Sequence, residues 1–284
     1  MIRKGLCLLL LPALILNGCA STTHSEREKP SAKPQLLDSA SEEVAIGEQI
    51  HSQIISTFFP YTDPKVTEYI AEIGRKLVLH AKRQELPYRF TLLYDDKIYA
   101  TSAPGGFVYL TTGMIYFLDN EAELAGIMAH EIGQLQYRDP RLSHSREVLE
   151  QVMRTASMVA PAFGGIGALA AIGLALVHSQ TLPNERSAEQ RLRDADRLAL
   201  KYLLEAGYDP QGFMDVQEKF LRAKDDMLPY FYDYYQSRPL TEERWLALTH
   251  AFGKLPLEGK DLSTRYQEFQ EATRGVRDIY KHPV

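Results

Sequence analysis

The stretch EAELAGIMAHEIGQLQYRDP, from Glu121 to Pro140, decides how the centre of this chain folds. Asn120 precedes it and can cap a helix, and Glu121 and Glu123 fall in the first turn, where carboxylates suit the positive end of the helix dipole. The sequence HEIGQ, from His130 to Gln134, lies in the middle of this predicted helix. A buried helix does not need polar side chains for its packing. The polar residues of HEIGQ are therefore candidates for a chemical role.

In a helix, residues four apart point the same way, so a His-Glu-x-x-His pattern presents two imidazoles to one zinc ion while the glutamate holds the attacking water. His130 and Glu131 occupy the first two positions, but Gln134 replaces the second imidazole. A neutral amide oxygen is a poor zinc donor beside imidazole. The motif predicts either a peptidase with an unusual ligand or a peptidase fold without metal chemistry.

The flanking sequence predicts more helix and a small sheet. Apolar residues between Val66 and His80 recur every three or four positions, which predicts an amphipathic helix. The segments Tyr88 to Tyr94 and Gly106 to Thr111 are rich in aromatic and β-branched residues and predict strands. A second long helix is expected from Ala188 to Ala206, before the stop signal of Gly207. The fold class is therefore α+β and mainly helical.

Near the start of the chain, Arg3 and Lys4 precede an apolar run from Leu6 to Leu16, and Cys19 follows three residues later. This order resembles the signal peptide of a bacterial lipoprotein. We expect residues 1–18 to be the signal peptide, 19–35 a flexible polar tether and 36–284 a metallopeptidase-like domain. Cys19 is expected to carry lipid; a cleaved signal with a free cysteine is the alternative. Residue 21 is serine rather than the aspartate that resembles an inner-membrane retention signal in enteric bacteria. We therefore expect the protein at the outer membrane, facing the periplasm.

Charge and hydropathy limit the partners. The formal net charge of −5 argues against nucleic acid. Residues 158–177 contain no charged residue, but Pro161 and four glycines favour a buried or lipid-facing hairpin over a transmembrane helix. The aromatic run at residues 229–236 predicts packing surface or a groove for extended polypeptide.

Three ordered blocks resemble the HtpX and CAAX-prenyl-protease type of zinc metallopeptidase, a gluzincin family, and especially its periplasmic lipoprotein members. The blocks are TSAPGGFVYLTTGMIYFLDNEAELAGIMAHEIG (101–133), DADRLALKYLLEAGYDPQGF (194–213) and SRPLTEERW (237–245). The resemblance covers the chain from about Glu42 to Tyr280. It implies an active-site helix under a small sheet, and an edge strand that pairs with extended substrate. That strand would hold Gly106, Phe107, Val108 and Tyr109.

The resemblance also implies a second helix with Glu-x-x-x-Asp, whose glutamate is the third zinc ligand and whose aspartate holds the first histidine. Aligned on Asp196, the ligand position falls on Leu192, which cannot bind a metal. Arg238 stands where the family has a histidine that stabilises the oxyanion. An arginine can stabilise an oxyanion, or it can neutralise Glu131 and Asp196 in place of a dication.

Other donors can be weighed for a rebuilt metal site. Glu189 lies one helical turn before Leu192, while Asp194 faces away from it. Isolated histidines that could be brought to the site include His144, His178 and His250. Lone histidines near helix ends are typical of surface positions, and none of these has ligand spacing with another.

These patterns lead to one functional hypothesis and two alternatives. The first is an outer-membrane-anchored pseudopeptidase, without a cofactor, that binds extended envelope polypeptides or outer-membrane assembly machinery in protein quality control, as a chaperone-like or regulatory protein. The second is an active zinc metalloendopeptidase with a rebuilt metal site that degrades misfolded envelope proteins. The third is a structural role at the outer membrane through residues 158–177.

Overall fold

The computed structural model describes residues 40–136, 188–223 and 238–281. Its helices are α1 (Ala40–Thr57), α2 (Pro64–Val78), α3 (Thr112–Phe117), α4 (Glu121–Gln136), α5 (Ala188–Glu205), α6 (Gln211–Ala223), α7 (Glu242–Phe252), α8 (Tyr266–Ala272) and α9 (Arg274–Lys281). Its strands are β1 (Arg89–Leu93), β2 (Ala100–Ala103) and β3 (Phe107–Thr111). The predictions for the signal peptide, Cys19, the tether, residues 158–177, the aromatic run, His144 and His178 lie outside the described residues.

Helix α2 forms where the apolar spacing predicted it. The side chain of Asp63 caps its start by accepting the N–H of Lys65 at 2.9 Å, and Pro64 supplies a favourable first residue. The periodic apolar residues face the core, and Val66, Ile70 and Ile73 are all 0 to 1% exposed. The predicted helix is confirmed, with an end at Val78 rather than His80.

The three strands form a mixed sheet in the order β1-β3-β2. Strand β3 pairs in parallel with β1 and antiparallel with β2, so it is the central strand. The expectation that Gly106, Phe107, Val108 and Tyr109 belong to a substrate-binding edge strand is therefore wrong. The reason is the turn before β3: Gly105 and Gly106 have φ of 80° and 93°, which lets β2 fold back along β3 as a hairpin.

Helix α4 lies at the centre of the molecule and packs against α5, α6 and β2. Its predicted cap is present, because the amide oxygen of Asn120 accepts the N–H of Glu123 at 3.0 Å. A side chain at Gly133 would lie 3.0 Å from the carbonyl oxygen of Ala195, so glycine permits α4 and α5 to approach closely. This close contact brings the HEIGQ turn of α4 against the middle of α5.

The protein is therefore mainly helical with a small mixed sheet packed on the central helix, as the sequence predicts at that level. Helix α5 runs from Ala188 to Glu205, one residue short of the predicted end. Within residues 40–136, 188–223 and 238–281, no helix combines the length and apolar composition that crossing a membrane requires.

Candidate functional site

The site begins with His130, which is 1% exposed on the buried face that α4 turns toward α5. Its Nδ1 atom lies 2.8 Å from a carboxylate oxygen of Asp196, which is also 1% exposed. A carboxylate beside Nδ1 favours a proton on that nitrogen, so Nε2 keeps its lone pair and acts as an acceptor. The ring is also stacked at 5.9 Å on Phe213 from α6. The contacts with Asp196 and Phe213 therefore fix the orientation of the imidazole ring.

Asp196 has a second partner that the sequence analysis missed. Arg244 of α7 donates from Nε to one carboxylate oxygen at 2.7 Å and from NH2 to the other at 2.8 Å. Burial by itself raises the pKa of Asp196, but the charge and hydrogen bonds of Arg244, with the contact to His130, hold that pKa below its usual range. Asp196 therefore remains ionised inside the protein.

Gln134 stands close to both residues of the zinc motif that are retained. Its side-chain nitrogen lies 3.2 Å from Nε2 of His130 and 3.4 Å from a carboxylate oxygen of Glu131. Both neighbours are acceptors, so the amide group has its NH2 toward them and can donate one hydrogen to each. The lone pair that a metal would use on His130 is directed at an amide hydrogen instead.

Arg238 completes the site beside Glu131. Its NH2 atom lies 2.8 Å from one oxygen of Glu131 and 2.9 Å from the other, and the two residues are 6% and 0% exposed. The guanidinium also lies 3.5 Å from the hydroxyl of Thr101 in β2 and 6.0 Å from the ring centre of Tyr99. Arg238 thus neutralises Glu131, while the neutralisation expected of it at Asp196 is provided by Arg244.

Among the described residues, the other positions considered as metal ligands provide no side chain that could bind a metal together with His130. Leu192 is buried on α5 one turn before Asp196 and presents hydrocarbon on that face. Asp194 binds Arg197, and Glu189 accepts a hydrogen bond from Thr241 at 2.9 Å and forms an ion pair with Arg193 at 3.1 Å. Among the described residues, no group of three or more His, Cys, Asp or Glu side chains could hold a metal ion, and His250 is exposed.

The residues of this site therefore do not fit the zinc ion that the resemblance implies. One imidazole is present, the second ligand position offers an amide N–H, and the third offers a leucine side chain. A dication at this point would also stand beside the guanidinium of Arg238, whose positive charge already compensates Glu131. Within the described part of the chain, both carboxylates of the site already have a cationic partner.

Comparison with known proteins gives a consistent family. The model of peptidase family M48 matches residues 64–251. The beta-barrel assembly-enhancing protease of Escherichia coli (strain K12) is 28% identical over 239 residues, which are 78% of this chain and 46% of that protein. The protein of the same name from Yersinia pestis is 28% identical over 232 residues, 74% of this chain and 46% of the relative.

A further relative is described as a putative beta-barrel assembly-enhancing protease of Vibrio cholerae. It is 32% identical over 176 residues, which are 57% of this chain and 35% of that protein. The chain thus spans about half the length or less of the curated relatives it matches. The matched family segment, residues 64–251, includes all of His130, Glu131, Gln134, Asp196 and Arg238.

Proposed function

Because this chain belongs to peptidase family M48, we propose that it is a pseudopeptidase that binds bacterial envelope polypeptides without zinc-dependent hydrolysis. We further propose that a lipid on Cys19 holds it at the outer membrane, facing the periplasm. The name shared by its relatives, beta-barrel assembly-enhancing protease, supports a client set that includes β-barrel proteins or their assembly machinery. The proposal describes a chaperone-like or regulatory role in envelope protein quality control.

One observation supports the proposed loss of metal chemistry: the amide nitrogen of Gln134 lies between His130 and Glu131, at 3.2 Å and 3.4 Å. Zinc peptidases use this histidine nitrogen as a metal ligand and this glutamate as the base for metal-bound water. Here both groups accept hydrogen bonds from one side chain, and Glu131 also pairs with a buried cation. A carboxylate whose oxygens are held by an amide and a guanidinium is not free to orient a water molecule for attack.

Binding of a client needs a surface, and the described residues offer one beside β1. Phe59 is 80% exposed and Tyr94 is 51% exposed. The carbonyl of Phe59 accepts the N–H of Tyr94 at 2.7 Å, and the ring of Tyr61 is stacked on Tyr94 at 6.4 Å. Exposed aromatic side chains give large apolar contact at low entropic cost. We propose that this aromatic surface, Phe59, Tyr61 and Tyr94, contacts unfolded clients.

The test measures metal, cleavage and binding on the same full-length protein. After incubation with zinc and removal of the excess, elemental analysis is expected to find well below one zinc per chain. An unfolded outer-membrane β-barrel protein is expected to bind and to remain uncut. Stoichiometric zinc together with cleavage that a chelator abolishes and added zinc restores would overturn the proposal and establish the active endopeptidase.

The binding part has its own variants. Phe59→Ser with Tyr94→Ser is expected to weaken client binding at least about tenfold, because two large apolar contacts are lost. Leu79→Ser with Leu246→Ser is the matched control, since these side chains are 71% and 59% exposed outside the aromatic surface. Equal loss in both pairs would show that the aromatic surface has no special part in binding.

A further inference from the structure

A cavity of about 400 Å³ opens at the two C-terminal helices, α8 and α9. None of the residues of the candidate active site lines it. Its lining includes Tyr266, Gln267, Glu271, Arg274, Arg277 and Lys281. The three basic residues are spaced i, i+3 and i+7 along α9, so they lie on one face of that helix. A chain with a formal net charge of −5 thus gathers three positive charges around one concavity.

Arg277 is the half-buried member of this set, and its described partners are all neutral. It donates from Nε to the hydroxyl of Thr273 at 3.2 Å and from NH2 to the carbonyl of Leu118, and it lies 5.1 Å over the ring of Phe269. In the described part of the chain, no carboxylate comes within ion-pair distance of it. Burial lowers the pKa of Arg277, and the negative charge of Asp119 offsets this effect only in part.

The nearby carboxylates do not neutralise the cavity. Asp119 acts on Arg277 at longer range and is bound by Lys219 at 2.9 Å. Glu271 is the carboxylate of the lining, and Lys65 lies 3.7 Å from it. Lys281 lies 3.4 Å from Asp278, but these side chains are 60% and 54% exposed, so water screens the pair. Among the described residues, three basic side chains against one lining carboxylate leave the cavity with excess positive charge.

We propose that this cavity binds the phosphate of a small organic headgroup, either on an anionic lipid or on a soluble organophosphate. A planar guanidinium presents paired donors that match phosphate oxygens, and two arginines with a lysine supply such donors here. The volume lies within the range of small-ligand sites. Tyr266, whose side chain is 57% exposed, and the amide of Gln267 line the same space and offer contact to a glycerol or sugar portion.

This assignment is independent of the pseudopeptidase proposal, because it uses neither the HEIGQ site nor the aromatic surface. If the phosphate belongs to a lipid, the site would hold the α8–α9 end of the domain against a membrane surface. If it belongs to a soluble molecule, the site would respond to the concentration of that molecule. The two sources share one chemistry and are separated by experiment.

The experiment compares the full-length protein with Arg274→Gln/Lys281→Gln. The soluble arm titrates glycerol phosphate by calorimetry, and the membrane arm measures the ratio of affinities for phosphatidylglycerol-containing and pure phosphatidylcholine vesicles. Because an exposed basic residue near a lipid surface contributes about a fivefold factor, the double variant is expected to lose on the order of 25-fold. Any anchoring through residue 19 is common to both proteins and cancels in the ratio.

Arg75→Gln/Lys201→Gln is the charge-matched control, since these side chains are 59% and 56% exposed and lie outside the cavity lining. If the cavity variant loses glycerol phosphate binding but keeps its preference for phosphatidylglycerol vesicles, the ligand is a soluble organophosphate. If it loses the vesicle preference but keeps glycerol phosphate binding, the ligand is a lipid headgroup. Arg277→Lys keeps the charge and removes the paired donors, so this variant is expected to bind the same ligand more weakly. Equal effects in cavity and control variants, or no binding by the unmodified protein in either arm, would overturn the assignment.

Discussion

Arg244 binds both carboxylate oxygens of Asp196, at 2.7 Å and 2.8 Å, in the interior of the protein. The same guanidinium donates to the carbonyl oxygens of Arg238 at 3.0 Å and Pro239 at 3.3 Å. One side chain of α7 therefore fixes a carboxylate of α5 and the backbone that precedes α7. Through Asp196 it also fixes the imidazole of His130, so the geometry of the site depends on a residue that does not itself belong to the metal motif.

Replacement of Arg244 is expected to be strongly destabilising. Arg244→Met leaves the ionised Asp196 buried without its main partner, and breaking a buried pair in this way costs about 3 to 5 kcal/mol. Chemical denaturation of the variant and the unmodified protein measures the difference. Asp196→Asn/Arg244→Met should recover part of the loss, because the uncompensated charge is removed.

An exposed arginine provides the control for this prediction. Arg222 pairs with Glu218 at 3.8 Å and these side chains are 71% and 45% exposed, so Arg222→Met is expected to change the free energy of unfolding by less than about 1 kcal/mol. A loss for Arg244→Met no larger than that of Arg222→Met would show that the buried pair has little energetic weight.

Glu131→Gln should reduce stability as well as any activity. In a zinc peptidase this change removes a catalytic base, but here it leaves Arg238 buried beside a neutral amide, at a cost of about 3 kcal/mol. Glu131→Gln/Arg238→Met is expected to be more stable than the sum of the single losses predicts, which a double-mutant cycle measures. Additive losses would mean that the two residues do not act as a pair.

Asp95 gives a stability effect that depends on pH. Burial, with a contribution from Asp96, raises the pKa of Asp95 to about 6. An acid whose pKa is higher in the folded than in the unfolded chain favours the folded state at low pH, and that benefit is lost as the pH rises from about 4 through 6. Asp95→Asn should therefore be more stable than the unmodified protein at pH 7.5, by on the order of 1 kcal/mol because partial exposure screens the charge, and similar at pH 4.

Urea unfolding at the two pH values measures this effect. Asn keeps the oxygen that accepts the N–H of Lys97 at 2.9 Å, so the turn is preserved in the variant. Asp278→Asn, at a side chain 54% exposed, should show no such pH-dependent difference. The same stability change at pH 4 and pH 7.5 in Asp95→Asn would contradict the assignment.

Zinc binding should be recoverable if the family pattern is restored as a set. Gln134→His and Leu192→Glu together supply the two substituted ligands, and Arg238→His removes the competing cation. The triple variant is expected to hold about one zinc per chain and to gain thermal stability from the metal, whereas Gln134→His alone should do neither. Elemental analysis and zinc-dependent melting measure the two results. A triple variant without zinc would show that Leu192 is not the ligand position.

Much of the helical fold could be predicted because its signals are local. The apolar spacing of α2 and the Asn120 cap of α4 lie within a few residues of the structure they specify. Strand β2 was not predicted, since its four residues, Ala-Thr-Ser-Ala, carry little of the apolar or aromatic signature of a strand. The central position of β3 depends on its pairing with β1 and β2, and the sequence of β3 alone does not specify that pairing.

The site divides in the same way. His130, Glu131 and Gln134 share one helical turn, and the resemblance brought Asp196 and Arg238 to them. Arg244 was missed because it follows two glutamates at the start of α7, where an arginine is typical of a solvated face. Its carboxylate partner is 48 residues away along the chain, so only the packing of α5 against α7 reveals the pair.

The ion pair between Glu131 and Arg238 also bears on the history of the protein. A chain with histidine in place of Arg238 leaves Glu131 buried without a counter-charge, and a chain that gains only a histidine at position 134 keeps a guanidinium next to the metal position. Each single change toward the zinc-peptidase pattern is therefore expected to lower stability before a complete metal site is present. Lineages that carry this arrangement should therefore keep it, and their relatives should show either all of the substitutions or none.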